Sequence, residues 1–498
     1  MFQTECFSNL LSSVDIVVGE TSTDADLVIA LVKPDVRPKD FPKNTPKVIK
    51  LIETSEVFKL QPLVDRVEFE GDNGVVVSAL VENQMLALVG CGVKPSPASA
   101  TKTGKAVAEA IRSLKGKRVQ LVVPEMEGAG LIVKQALLNL MKIETFLSEK
   151  KKARPLSLKH LYISGFNDCS VLYVVAGVQT TKELIAAPAN FVNPPTLAAF
   201  TKHKAGEWGF ECRNFGVQEA ARKGMGAFLA VGQGSTKTES QFIHLVYTPT
   251  SEVRRRVVLV GKGVCHDTGG YNLKVSGGIE QMKYDMGGAA AVLGAAEAIS
   301  RLRPAEVEVH FICPAVENRI SSSAYLPGDI ITAMNGTTIE VGNTDAEGRL
   351  ILADALCYAD ELLKKDDLPA LVLDIATLTG ACKVALGDTL AGLFASSDWS
   401  ATLLLESGQK SGDRLWRMPL EDGYVERLKS SLADVNNIGG NGGGAMSAAS
   451  FLQQFVDTDR VDWCHLDIAG AGYEWAENLP VGFGAHLFYI VVEALSRL

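Results

Sequence analysis

No CxxC pair occurs among the nine cysteines, Cys6, Cys91, Cys169, Cys212, Cys265, Cys313, Cys357, Cys382 and Cys464, and their number is odd. Scattered, unpaired spacing argues against a disulfide framework and fits reduced thiols. The opening stretch MFQTECFSNLLSSVDIVVGE lacks a positive region ahead of a continuous apolar run, so no secretory leader is expected. No segment approaches the ~18 consecutive apolar residues of a membrane span. These absences predict a cytoplasmic protein with no membrane partner. Positive charge is also short: 49 Lys and Arg stand against 58 Asp and Glu, a formal net charge of -9, which argues against nucleic acid as the main partner. Internal repeats and low-complexity tracts are missing, and GGNGGG at Gly439 to Gly444 is a single flexible loop. VGQGSTK at Val231 to Lys237 lacks the spacing of a phosphate loop and reads as a strand-end turn. Five of the seven histidines have no carboxylate or Cys at ligand spacing; His266 and His465 sit near acids, and all seven are counted as structural.

What is present is a chain of 498 residues, 47% hydrophobic and 21% charged, with room for two to three domains at about 150 residues each. Short apolar runs alternate with helical patterns in residues 1–150. Leu27 to Val32, Val75 to Leu80, Met85 to Val89 and Val119 to Val123 read as strands, Gly104 to Leu114 and Gly130 to Met141 as helices. A charged, proline-containing stretch, Glu149 to Lys159, opens a linker region at 151–180. From about residue 160 onward the chain is richer in Gly and Ala, and residues 181–498 are the expected larger domain. In LIAAPANFVNPPT, Pro188 ends any helix and Asn193-Pro194-Pro195 turns the chain. Strands at Val257 to Val260, Val307 to Val316, Thr338 to Val341 and Ala370 to Ile375 alternate with helices at Met286 to Ile299 and Leu350 to Leu363. The expected fold class is α/β in two domains, a smaller N-terminal one and a larger one with a mostly parallel sheet covered on both faces. Ligands would then bind near the carboxyl ends of the strands.

Functional groups concentrate at those strand ends. GKGVCHDTGG carries Lys262 and Asp267, with Lys274 seven residues on; KYDMGG carries Asp285; NTDAEGRL carries Asp345, Glu347 and Arg349. In an extended segment, alternate residues point to one side, so Asp345 and Glu347 can converge. The bland alternative is an ordinary helix N-terminus, where acids favour the dipole. Four converging carboxylates need compensating cations, and two divalent metal ions balance them. A lysine desolvated beside cations can lose its proton and become a neutral amine ligand, while another can stay charged and polarise a carbonyl. Spacing alone leaves open which of Lys262 and Lys274 does which.

NTDAEGRLILADAL, GKGVCHDTGGYNLK, KYDMGGAAAVLGA and ATLTGA, in this order, resemble the leucyl aminopeptidase family of dinuclear-metal exopeptidases. The resemblance runs from about residue 184 to the end, through PANFVNPPT, LPGDI, DRLWRMPL, LADVNNIG and HLDIAG, and is weak over residues 1–150. It implies that Lys262, Asp267, Asp285 and Glu347 hold the tighter metal, and Asp267, Asp345 and Glu347 the more exchangeable one. Lys274 and Arg349 are implied as the catalytic side chains, Arg349 holding a bicarbonate ion as general base. Met282, Thr377, Gly380 and Ala469, together with Lys274, are implied as substrate-binding. Gly472 stands where some relatives carry a bulkier residue, so a roomier pocket is expected, and His266 replaces a Phe or Tyr. The resemblance further implies two ions per subunit (Zn, Mn, Co or Mg), peptide substrates with leucine preferred, and a homohexamer. A dipeptidase of Cys-Gly type on the same site, or a non-catalytic binding or scaffold role, are the competing readings.

Overall fold

The structure is a computed structural model that describes residues 14–22, 24–32, 72–81, 84–92, 95–148, 150–151, 156–275 and 277–497. The chain divides into two compact units between Ala176 and Gly177.

In the first unit, β1 (Asp15–Val18), β2 (Leu27–Val32), β3 (Val76–Val81), β4 (Gln84–Gly90), β5 (Arg118–Val122) and β6 (His160–Ser164) form one sheet in the order β1-β6-β5-β2-β4-β3. Only the β3–β4 pair is antiparallel. LVIALV in β2 is buried at every residue, as a strand covered on both faces must be. The sheet is accompanied by α1 (Pro97–Leu114) and α2 (Ala129–Leu140). Helix α1 begins seven residues before Gly104, where its apolar periodicity starts. Ser96 and Ser99 cap one another's backbone and Pro97 occupies the first turn, so polar residues carry the first turns of the helix. A Cβ on Gly104 would lie 2.5 Å from the Gln135 Cβ, which brings α1 and α2 to backbone contact. The segment 151–180 is no bare linker: its described residues include β6, seated between β1 and β5, and the start of α3 (Ser170–Ala186). The rest of the charged stretch Glu149 to Lys159 lies partly outside the described residues.

In the second unit α4 (Pro194–Trp208) follows the Asn-Pro-Pro sequence. Those residues start a helix instead of simply turning the chain: the Asn193 side chain accepts from Thr196 N–H, and Pro194 fits the first turn, where no amide donor is needed. The main sheet is built from β7 (Glu211–Cys212), β8 (Phe215–Gly216), β9 (Gln241–Tyr247), β10 (Arg255–Gly261), β11 (Gly263–Asp267) and β12 (Val307–Asn318). Strands β13 (Ile330–Thr332) and β14 (Thr338–Glu340) belong to a small side sheet, and β15 (Ala370–Ala376), β16 (Ala391–Ala395) and β17 (Leu415–Arg417) return to the main one. The side sheet is completed by β18 (Val435–Asn436) and the main sheet by β19 (Asp462–Asp467). Its order is β17-β16-β19-β15-β10-β12-β9-β7, with β11 on β12 and β8 on β9. The central pairs β19–β15, β15–β10 and β10–β12 are parallel, and antiparallel pairs flank them. GVCHD forms a strand because the long β12 offers it a partner beyond the end of β10. VGQGSTK ends a short helix, Gly226–Gly232, not a strand.

Helix α5 (Gly287–Leu302) lies on the sheet at backbone distance: a Cβ on Gly288 would sit 2.1 Å from the Ile375 carbonyl oxygen and 2.7 Å from Lys262 N. Helix α6 (Glu347–Leu363) packs its Leu350, Ile351 and Leu352 with Val258, Val260, Val372 and Trp463 in one core. Small residues on one helix and branched apolar residues on the other hold the middle strands, so that their carboxyl ends stop at one edge. Among the described residues no helix is long and apolar enough to cross a membrane.

Candidate metal centre

Lys262 follows the last residue of β10, Asp267 ends β11, and Thr377 follows β15, so three strand ends deliver side chains to one place. Asp285 arrives on a single 3₁₀ turn, Met282–Met286, directly before α5. Glu347 opens α6, and Arg349 lies in its first turn. The alternation expected of Asp345 and Glu347 in an extended segment is therefore incorrect. Asp345 sits in the turn and Glu347 on the helix, and it is the turn-to-helix corner that aims both inward.

Lys262 Nζ stands 2.9 Å from Asp285 Oδ1, 2.8 Å from Glu347 Oε1 and 3.0 Å from the Thr377 carbonyl oxygen. Lys274 Nζ stands 2.7 Å from Asp267 Oδ2 and 2.5 Å from Asp345 Oδ1. Asp267, Asp345 and Glu347 each offer an oxygen, all within 4.8 Å of one another. Two ammoniums thus face four carboxylates. Burial alone would lower the Lys262 pKa, yet Asp285, Glu347 and Asp267 outweigh it and hold the group strongly protonated; Lys274 follows the same pattern. Burial, with Asp267 and Glu347 adding repulsion, pushes Asp345 up to about 6, and burial first raises Asp285 and Glu347 too.

The backbone around the nest is tightly bound. Asp267 Oδ1 accepts from Gly269 N–H at 2.8 Å and from Asn318 Nδ2 at 2.9 Å. The turn that follows has Gly269 at φ +86° and Gly270 at φ +60°, left-handed conformations that suit glycine. Thr344 donates to the Gly269 carbonyl at 2.7 Å and accepts from Asn272 N–H at 2.9 Å, which locks the Lys274 loop to the Asp345 loop. Asn437 accepts from Gly342 N–H and Asn343 N–H and donates to the Asn343 carbonyl, and its own carbonyl receives Arg349 Nη1 at 2.7 Å. Sequence reasoning noticed LADVNNIG only as likeness and assigned Asn437 no role; its contacts are with backbone, which leaves no side-chain pattern to read.

The residues present fit two divalent cations. Asp285 Oδ2 and Glu347 Oε2 are buried with no hydrogen-bond partner, so oxygen donors remain for a cation, and hard carboxylate oxygens plus one amine suit Zn, Mn or Mg. Arg349 is buried, its Nε also lacks a partner, and burial lowers its pKa to about 10. A guanidinium with a free, aimed N–H fits a small anion.

Of the expected substrate-binding residues, Thr377 is part of the nest, its hydroxyl donating to Asp285 Oδ1 at 2.7 Å. Met282 opens the 3₁₀ turn that carries Asp285, and the Ala469 carbonyl accepts from Tyr284 on the same turn at 3.0 Å. Gly380 opens α7 (Gly380–Leu386), and a Cβ there would meet nothing within 4 Å. A Cβ on Gly472 would lie 3.1 Å from the Ile468 carbonyl oxygen, so this glycine also serves its own tight turn. His266 has its Nδ1 buried without a hydrogen-bond partner, and burial favours the neutral ring. His465 is structural, with Nδ1 2.5 Å from Asp374 Oδ1 in the sheet interior.

The family model described as "Cytosol aminopeptidase family, catalytic domain" matches residues 179–489. The chain belongs to the cytosol aminopeptidase family. It is 45% identical over 422 residues to a "Probable cytosol aminopeptidase" of Synechococcus sp., covering 82% of this chain and 85% of the relative. It is 42% identical over 441 residues to the chloroplastic leucine aminopeptidase A2 of Solanum lycopersicum, covering 84% of this chain and 76% of that one. The solved structure of a tomato leucine aminopeptidase mutant superposes with a TM-score of 0.84 at 35% identity, covering 97% of this chain and 96% of that one. As a cytosol aminopeptidase family member the chain is a peptidase hydrolase, of the metal-dependent N-terminal exopeptidase class, and its α/β fold in two units matches that structure.

Proposed function

We propose that the chain removes N-terminal residues, leucine among the best, from peptides, with Lys262, Asp267, Asp285 and Glu347 holding one divalent ion and Asp267, Asp345 and Glu347 the other. The observation that carries this reading is the convergence of four carboxylates around Lys262 and Lys274, two of which keep a buried oxygen without a partner. Lys262 would act there as a neutral amine, giving up the proton that Asp285 and Glu347 now hold on it. When bound, such a pair of ions supplies Lewis-acid polarisation and a water of near-neutral pKa.

The chain's own groups do the rest. Lys274 reaches into the site with its charge intact and stabilises the oxyanion on the scissile carbonyl. Arg349 holds a bicarbonate ion, which supplies the base that a guanidinium cannot be. The α-amine of the substrate, in its neutral form, would be held where these ligands place an ion, which sets the cut at the first peptide bond. Met282, Thr377, Gly380 and Ala469 line the space for the first side chain, and a pliable Met suits aliphatic groups. The 1–150 region serves contacts in a homohexamer, and the setting is cytoplasmic; a monomer by light scattering would count against the assembly.

The test is hydrolysis of leucyl p-nitroanilide. Chelation should stop it, and Mn, Co or Zn should restore it. Lys274→Ala should lower kcat by about 100-fold or more, as loss of an oxyanion donor does. Asp345→Ala should abolish activity with the fold intact by circular dichroism. Unimpaired turnover in either variant refutes the assigned role.

A further inference from the structure

We infer that Asp467 is a positioning residue of this peptidase, its carboxylate clamping the Thr377–Gly380 loop and the Ile468–Ala469 turn against the Lys262–Asp285 pair. Asp467 is the last residue of β19 and only 1% exposed. Its Oδ1 accepts from Leu378 N–H at 3.3 Å, Thr379 N–H at 3.3 Å and Ala469 N–H at 3.1 Å. Its Oδ2 accepts from the Thr379 hydroxyl at 2.6 Å. Among the described residues no lysine, arginine or histidine forms an ion pair with it. A buried carboxylate without a counter-ion is costly unless its oxygens are well bonded, and here all the donors come from two loops that leave adjacent strand ends.

The first clamped loop bonds directly to the nest and the second to the residue before Asp285, and among the described residues no hydrogen bond or ion pair joins Asp467 to Lys262 or to the four acids. From the first loop, the Thr377 carbonyl receives Lys262 Nζ and the Thr377 hydroxyl reaches Asp285. From the second, the Ala469 carbonyl receives the hydroxyl of Tyr284, the residue before Asp285. One side chain therefore ties together two loops that each hydrogen-bond to the same 3₁₀ turn, one at Asp285 and the other at Tyr284. Freed of it, Thr379 and Ala469 would each keep a buried N–H without an acceptor, Leu378 would lose its own acceptor, and the loops would move to satisfy them. The surface that moves is the one facing the first side chain of the substrate, so the loss should fall on binding and discrimination before it falls on the chemical step. Glutamate or alanine cannot reproduce the geometry, whereas asparagine can. Its carbonyl can take the place of Oδ1, and its amide can donate to the Thr379 hydroxyl.

This inference rests on the peptidase reading, and the experiment separates the two. Asp467→Ala, Asp467→Asn and the wild type are compared for kcat and KM on leucyl and alanyl p-nitroanilides, for leucine binding by calorimetry, and for metal content. Asp467→Ala should raise KM and the dissociation constant of leucine at least 10-fold and bring the leucyl to alanyl preference close to unity, with metal content unchanged. Asp467→Asn should stay within about 3-fold of wild type on every measure. If the alanine variant fails to fold, Thr379→Ala, which removes one of the four donors, should raise KM several-fold in the same direction. Wild-type KM and preference in Asp467→Ala, or in Thr379→Ala where that variant decides, overturn the clamp alone. So does an equal loss of kcat on both substrates with KM unmoved. A wild-type protein that neither binds leucine nor hydrolyses leucyl amides overturns the peptidase reading and the clamp with it.

Discussion

At the scale of single residues the decisive pair is Gly348 and Lys262. Lys262 is buried at 3% exposure and reaches Asp285 and Glu347 across the backbone of α6 where it begins. A Cβ on Gly348 would lie 2.7 Å from both Cε and Nζ of that lysine. The glycine in NTDAEGRL thus leaves a groove for the lysine. Gly348→Ala should push the ammonium off its two carboxylates, and misplacement by about 1 Å costs roughly 100-fold in rate. The check is kcat/KM together with metal content by atomic emission, and a variant with both unchanged would show that Lys262 has room to spare. The two lysines and four acids of the nest were legible in the sequence as dense functional groups, whereas Thr377 entered only through the likeness to the family. The reason for Gly348 was not, because its partner lies 86 residues earlier and meets it only after the sheet has formed. Nor was the unpaired Nε of Arg349 legible, since it depends on which backbone carbonyl its other nitrogen finds.

Whole elements were legible where burial and periodicity agree. The apolar runs of β2 and β10 lie where their sequences place them, and α6 fails the expectation only at its first turn, where Glu347, Gly348 and Arg349 carry no apolar period. The 3₁₀ turn at Met282–Met286 and the five-residue β11 are too short to show a period, so their form comes from Thr377 above one and β12 beside the other. An element-scale consequence concerns α3, whose Glu183 is buried and accepts from Gln179 Nε2 at 2.6 Å. Burial pushes this carboxyl from an ordinary 4.5 up to about 7, against the Gln179 hydrogen bond and the charges of Lys204 and Lys182. An acid whose folded pKa is raised holds its proton longer in the folded chain than in the unfolded one. Stability should therefore fall as pH rises across that window, by on the order of 3 kcal/mol. Glu183→Gln keeps the acceptor and removes the titration. Denaturation by urea should find variant and wild type alike at pH 4.5 and the variant more stable at pH 8. Parallel pH profiles would place the titration elsewhere.

At the scale of the whole molecule, the net charge of -9 is spread over a long chain, but four of its carboxylates are drawn together at one edge of a single sheet. The fold tolerates this because Lys262 and Lys274 are built into the same edge and each faces two of the acids. Two fixed ammoniums offset about half of the four negative charges, so the sheet and its helices should close without added cations. Added cations should still favour the folded chain, since the unfolded one cannot assemble their ligands. A ligand at 100 times its dissociation constant stabilises by about 2.7 kcal/mol, which for a unit of this size raises the midpoint by roughly 5 °C. Calorimetry after exhaustive chelation should accordingly show a cooperative transition that is a few degrees lower, with the far-ultraviolet circular dichroism spectrum unchanged. Readdition of Mn or Zn should restore the midpoint. Loss of the transition on chelation would mean that the two lysines do not suffice to hold the acids together. No shift at all would mean that the carboxylates bind no ion, and the enzyme reading would then have lost its physical basis.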